Sequence, residues 1–144
     1  MANVSVENYD FYCADFSRRV ALEADALVGR KEGRYRELES FVTRALNVLH
    51  ENGLYAFFVY LVWRVNNGTP GEKKLASVIN DLFVGKRGST SLLRLPEMGF
   101  PLSKAEHPLE VGRELCESTD SLFLAKEIVS RALVYVRYHL KGRG

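Results

Sequence analysis

The side chains best suited to chemistry in this sequence are cations on the last predicted helix. At about 100° per residue, Lys126, Arg137 and Lys141 fall on one narrow line with Ser130, opposite an apolar face. Arg131 lies beside this line. The rise from Lys126 to Lys141 is roughly 22 Å, which spans several phosphates of a nucleic-acid strand. The pattern favours a helix that contacts a nucleic-acid backbone without reading bases; a charged face that only meets solvent is the alternative.

A second basic segment, Lys86-Arg87, lies between Gly85 and Gly88. Gly-x-x-Gly with two basic residues resembles the phosphate-binding loop of KH domains. That fold surrounds the loop with a β-sheet, whereas the flanks here are predicted to be helical. We expect Gly85 to cap a helix and Gly88 to lie in a flexible loop, and we retain Lys86 and Arg87 as candidates for phosphate contact.

Arg44 and His50 have the spacing of the Arg-(x4–6)-His motif of HEPN ribonucleases, which are helical proteins. Six residues on a regular helix correspond to about 240°, so the two side chains would share a face only on a deformed helix. Ala45 also stands where that motif usually has a polar residue. We expect His50 to belong to the last turn of a helix, where a cation interacts favourably with the helix dipole. A helical ribonuclease remains an alternative function.

Other catalytic and ligand-binding patterns are absent from the sequence. His50, His107 and His139 lie in separate predicted elements without cysteines or acids at ligand spacing, so we expect no metal site. No Gly-x-Ser-x-Gly or Cys/His arrangement indicates a nucleophile. The N-terminal residues lack a basic segment followed by an apolar one, so no secretory signal is expected. These observations predict a cytoplasmic, non-catalytic protein without a cofactor, a metal or a small-molecule substrate.

The two cysteines, Cys13 and Cys116, lie far apart in different predicted helices. Buried and reduced thiols are the simplest interpretation for a cytoplasmic protein. A single disulfide between them is the alternative.

Apolar residues recur with helical spacing along six segments. The predicted helices cover residues 9–28, 35–52, 54–63, 70–84, 108–116 and 119–141. A long loop over about 86–107 interrupts them, and strands have almost no support. Hydrophobic residues make up 47% of the chain, which excludes a disordered protein. The sequence therefore predicts an all-α bundle of about five to six helices in a single domain, residues 1–144.

The third predicted helix consists of a nearly unbroken apolar run over 54–63. Asn52-Gly53 predicts the end of the preceding helix, because glycine adopts cap conformations that a Cβ disfavours. The run is too short to cross a bilayer, which requires roughly 20 residues. We therefore expect this helix to be buried on almost all sides, with Trp63 and the neighbouring aromatic residues in the core.

The formal charge of +2 is too small to indicate a nucleic-acid-binding protein by itself. Its distribution is more informative, because residues 1–72 carry a net charge of −2 and residues 73–144 a net charge of +4. An anionic partner is therefore expected to meet the second half of the chain.

Two short motifs, in this order, resemble the small helical subunit of the type III-B (Cmr) CRISPR effector complex. The first is a helix end followed by an Ala-, Phe- and Leu-rich helix. The second is a closing helix with a basic residue, an Ala-Leu pair, an aromatic residue and a final basic residue. The residues concerned are Asn52-Gly53-Leu54, Ala56-Phe57-Phe58 and Leu61 in the first motif, and Lys126, Ala132-Leu133, Tyr138 and Lys141 in the second.

This resemblance implies a structural role. Copies of such a subunit stack with one another and with other subunits, and they hold the guide RNA–target RNA duplex through phosphate contacts without cutting it. Lys126 and Lys141 are implied by the motif match, whereas Arg137, Lys86 and Arg87 come from the charge pattern alone. A helical adaptor that binds only protein is a further alternative.

Overall fold

A computed structural model of the chain is an all-α bundle, which confirms the fold class predicted from the apolar spacing. The structure describes residues 6–85, 91–100, 102 and 107–144, none of which lies in a strand. Six α-helices run through these residues: α1 (Val6–Gly29), α2 (Tyr35–Asn52), α3 (Leu54–Asn67), α4 (Pro70–Val84), α5 (Pro108–Leu115) and α6 (Thr119–Arg143). No helix in this part of the chain is both long enough and apolar enough to span a membrane.

Gly53 separates α2 from α3, as the Asn52-Gly53 pair predicts. Its φ of +98° with a ψ of 179° is a backbone conformation that essentially only glycine adopts. Its N–H donates to the carbonyl of Leu49 (3.0 Å), and its carbonyl accepts from the N–H of Phe57 (3.1 Å). One residue therefore ends the second helix and begins the third.

Side-chain caps fix the starts of α4 and α6. Thr69 Oγ1 accepts from the N–H of Glu72 (3.3 Å), and the Glu72 carboxylate accepts from the N–H of Thr69 (3.0 Å). This reciprocal capping box has Pro70 at the first helical position, where its missing N–H costs nothing. Helix α6 is capped by the hydroxyl of Ser118, which accepts from the N–H of Ser121 (3.4 Å).

The buried side chains of the six helices form one continuous hydrophobic core. Helix α6 lies against α1 and α2, while α3 lies against α2, α4 and α5. At the centre, Phe16 of α1 stacks on Phe83 of α4 with ring centroids 4.2 Å apart, and Phe57 of α3 meets Phe83 edge-on at 6.0 Å. Each such buried aromatic side chain stabilises the fold by about 1.5–3 kcal/mol. This core holds α6 in place along its whole length.

The prediction that α3 is buried on almost all sides is wrong. Its core face carries Leu54, Phe57, Phe58 and Leu61. The other face leaves Tyr55, Val59 and Trp63 between 42% and 49% exposed. The sequence could not reveal this, because a continuous apolar run has no polar side that marks the solvent. Trp63 is consequently a surface residue and not part of the core.

Residues 91–100, inside the segment predicted to be a long loop, pack onto the bundle. They form two short 3₁₀ turns, Leu92–Arg94 and Pro96–Met98. The buried side chains of this segment are Leu92, Leu93 and Met98. This part of the loop is therefore a component of the core.

The two cysteines have opposite environments, and both are free thiols. Cys13 is fully buried, and its thiol donates to the carbonyl of Ile128 (3.6 Å). Burial raises the pKa of Cys13 to about 11. Cys116, at the end of α5, is exposed, so the expectation of a buried thiol is wrong there.

Candidate nucleic-acid interface

The line of cations predicted on α6 lies along the edge of the helix that faces α2. The Nε2 atom of His50 on α2 is 2.8 Å from the Oγ of Ser130, in the middle of the line. Lys126 and Arg137 are partly exposed on either side of this contact, and Lys141 is exposed near the end of the helix. The fold therefore arranges the three cations in a row at the border between two helices.

These three cations differ from the other basic residues of α6 in lacking partners. Arg131 pairs with Glu127 of the previous turn (3.2 Å), and Arg143 pairs with Asp25 of α1 (2.8 Å). Within the described residues, Lys126, Arg137 and Lys141 form no ion pair. An unpaired cation keeps its full charge available to an anion, whereas a paired one must first break a contact.

Arg137 combines partial burial with an unsatisfied hydrogen-bonding group. Its Nε is buried and has no hydrogen-bond partner among the described residues. A buried donor without an acceptor is costly, so structures usually satisfy it. Because this Nε is shielded from solvent, an external ligand could reach only the remainder of the partly exposed Arg137 side chain.

The other basic candidates fall elsewhere. Lys86 and Arg87 lie outside the described residues. Arg94, which follows this segment in the sequence, donates through Nε to the carbonyls of Val84 (2.6 Å) and Gly85 (2.8 Å). These contacts satisfy carbonyls at the end of α4. The structure therefore gives Arg94 a capping role at α4.

Arg44 and His50 do not converge on one site. Arg44 pairs with the buried carboxylate of Glu72, and its Nε donates to the hydroxyl of Tyr60 (3.4 Å). Arg64 approaches the same carboxylate (3.5 Å), so two guanidinium groups surround it. His50 instead contacts α6 on a different side of α2. The deformed helix that a HEPN-type pair requires is not formed, and both side chains have structural partners.

The end of α6 is tied to α1 and α2 by a polar cluster around Asp25. Arg143 Nε (2.8 Å) and the hydroxyl of Tyr35 (2.7 Å) both donate to one carboxylate oxygen of Asp25. Partial burial pushes the pKa of Asp25 upward, but these two hydrogen bonds outweigh it and hold the pKa below its ordinary value. The cluster keeps the last turns of α6, and with them Lys141, in a defined position.

A groove of about 400 Å³ lies between α1 and α6, and none of the three cations lines it. Polar and aromatic groups line it: Asp10, Ser17, Tyr135, Tyr138 and His139. The hydroxyl of Tyr135 donates to Asp10, and this hydrogen bond raises the pKa of Tyr135. Tyr138 is 66% exposed at the rim of the groove.

Sequence reasoning assigned no contact to Tyr138 and did not foresee the groove. The sequence does indicate that Tyr138 is exposed, because it lies 100° around the helix from Arg137, away from the apolar face. The groove itself depends on how closely α1 approaches α6, which the sequence of α6 does not contain.

The exposed face of α3 is a second surface feature that the sequence misassigned. Tyr55, Val59 and Trp63 follow one another at successive helical turns. The guanidinium carbon of Arg64 lies 4.6 Å from the centroid of the Trp63 ring, in a cation–π contact. Contiguous exposed apolar residues of this kind are typical of protein-binding surfaces.

No group of three or more potential metal ligands occurs among the described residues. Comparison with known protein families, with curated proteins and with solved structures finds no significant match to this chain.

Proposed function

We propose that this protein binds an RNA backbone through α6, as a non-catalytic small subunit of a type III CRISPR RNA-guided effector complex in the cytoplasm. The observation that carries the proposal is the row of unpaired cations Lys126, Arg137 and Lys141 along one edge of α6. The assignment to this class of complex rests on the two sequence motifs that resemble its small subunit. The motif residues Lys126 and Lys141 are members of the row.

The mechanism is electrostatic. A duplex of guide RNA and target RNA carries regularly spaced phosphates, and each neutralised phosphate releases condensed counterions. Three phosphate contacts predict that the logarithm of the binding constant falls by about 2–3 per tenfold increase in salt. Contacts of this kind position a duplex and carry no sequence information. Lys86, Arg87 and Arg131 are further candidates for the same backbone.

The partners of the proposed subunit are other subunits of the complex and further copies of this chain. The exposed stripe of Tyr55, Val59 and Trp63 on α3 supports a protein contact there. It also favours the second candidate function, a helical adaptor that binds only protein. The adaptor and the RNA-binding subunit differ in whether the cations of α6 matter.

The experiment that tests RNA binding compares two charge reversals. Lys126→Glu with Lys141→Glu alters the row, and Lys31→Glu with Lys73→Glu makes the same change in charge at two exposed residues elsewhere. RNA binding by the purified chain is measured at several salt concentrations. We expect the first variant to weaken binding at least tenfold and to reduce the salt dependence by about two contacts. An equal effect of both variants would show that only net charge matters and would contradict the proposal.

The place of the protein in an effector complex has its own test. The tagged chain is recovered from its native host, and the RNA that accompanies it is sequenced. Short RNAs with a common repeat-derived 5′ tag, together with larger protein partners, support the proposal. Protein partners without RNA favour the adaptor. Cleavage of single-stranded RNA by the purified chain, abolished by His50→Ala, would favour the ribonuclease.

A further inference from the structure

We propose that Tyr138 and the groove between α1 and α6 bind one unpaired RNA nucleotide. The base stacks on the Tyr138 ring and its edge enters the groove, while its phosphates meet the cations on α6. This proposal rests on the proposed RNA-backbone function of α6 and adds to it a site for a nucleotide that is not base-paired.

The Tyr138 ring lies open on the surface of α6. It is 66% exposed and makes no ring contact with another aromatic residue among the described residues. Every nucleobase offers a flat aromatic face, and stacking of a base on such a ring strengthens binding by about 5- to 150-fold. A ring in this state is available for stacking without any rearrangement of the core.

The groove beside Tyr138 presents a carboxylate to the edge of a base. The groove has a volume of about 400 Å³ and is shallow and largely open to solvent, so it would hold only the edge of a base. The Asp10 carboxylate accepts from Tyr135 and keeps acceptor positions for a base N–H. This acceptor matches bases with an exocyclic amino group, namely adenine, cytosine and guanine, better than uracil.

Charges of opposite sign lie on the two sides of the Tyr138 ring. Arg137 precedes Tyr138, and Lys141 lies three residues further on, one turn along the same helix. Asp10, in contrast, repels a phosphate from the groove. The two signs of charge therefore orient a nucleotide, with its base toward Asp10 and its phosphates toward Arg137 and Lys141.

The test uses two RNA duplexes that differ by one bulged adenosine. Affinities for both are measured with the full chain and with Tyr138→Ala, Tyr138→Phe and Phe123→Ala. Phe123 is the matched control, because it is an equally exposed aromatic residue of α6 (65%) that does not line the groove. A third duplex with a bulged uridine tests the preference for an exocyclic amino group.

We expect the full chain to bind the bulged duplex about tenfold more tightly than the perfect duplex. Tyr138→Ala should abolish this preference without changing the salt dependence, whereas Tyr138→Phe and Phe123→Ala should preserve it. The bulged uridine should be bound more weakly than the bulged adenosine.

A preference that survives Tyr138→Ala, or no preference for the bulged duplex, overturns the nucleotide site. If Lys126→Glu with Lys141→Glu still weakens binding to the perfect duplex in that case, the backbone function stands alone. A chain that binds neither duplex at low salt overturns both proposals.

Discussion

Glu72→Gln is expected to destabilise the protein, because it removes the charge from a carboxylate that is only 3% exposed. The carboxylate of Glu72 is approached by the guanidinium groups of Arg44 and Arg64 and accepts the N–H of Thr69. Glutamine keeps a carbonyl oxygen and can preserve the capping contact with Thr69. The substitution therefore isolates the contribution of the charge.

The magnitude follows from the exposure of the two arginine side chains. Removing one partner of a fully buried ion pair costs about 3–5 kcal/mol. The side chains of Arg44 and Arg64 are 44% and 20% exposed, so water compensates part of the loss. We expect Glu72→Gln to lower the free energy of unfolding by about 2 kcal/mol. For a chain of 144 residues this corresponds to a decrease in Tm of about 7 °C.

The assay is thermal and denaturant unfolding of three variants. Glu72→Ala also removes the cap and should lose about 1 kcal/mol more than Glu72→Gln. The matched control is Glu117→Gln, whose pairing with Arg113 is exposed on both sides (65% and 68%); its effect should stay below about 0.5 kcal/mol. If Glu72→Gln were no more destabilising than Glu117→Gln, the argument that burial gives this ion pair its strength would be refuted.

Two further predictions concern thiols and pH. Cys116 should react with a thiol reagent in the native protein, whereas Cys13 should react only as the protein unfolds. The reason is that burial shields the Cys13 thiol and raises its pKa to about 11. Equal rates of modification of the two thiols would contradict the buried location of Cys13. Because the folded-state pKa of Asp25 is below its ordinary value of 3.8, its stabilising contribution is present above that pH and is lost as the pH falls further. The difference in unfolding free energy between the wild type and Asp25→Asn should therefore shrink between about pH 6 and about pH 3, and a constant difference would contradict the role of Asp25.

The apolar stripe of Tyr55, Val59 and Trp63 on α3 is a candidate surface for a protein contact. A half-exposed tryptophan beside an arginine is a typical centre of a protein–protein contact. The stripe and the cations of α6 lie on different helices, so the proposed protein contact and the proposed RNA contact would use separate surfaces. Trp63→Ser would therefore test the proposed protein contact without altering Lys126, Arg137 or Lys141.

The sequence by itself determined which segments are helical and several of their ends, because these depend on contacts within a few residues; the end of α3 was missed, since that helix runs on from residue 63 to Asn67. Gly53 needs no information from the rest of the chain to end α2, and Thr69, Pro70 and Glu72 form a complete helix start. The apolar spacing likewise predicted which side of α6 faces the core. It placed the cations together opposite that side, whereas in the structure their line borders α2.

Only the tertiary structure decided which surfaces remain open and which charges remain unpaired. The apolar run of α3 has the same periodicity whether one face or all faces are buried, so the exposure of Trp63 depends on where α2, α4 and α5 lie. Glu72 pairs with Arg44, which lies 28 residues away in the sequence. Helix α1 approaches α6 and so forms the groove beside Tyr138. Such contacts join residues far apart in sequence, and the geometry of helix packing that creates them is not encoded in any single helix.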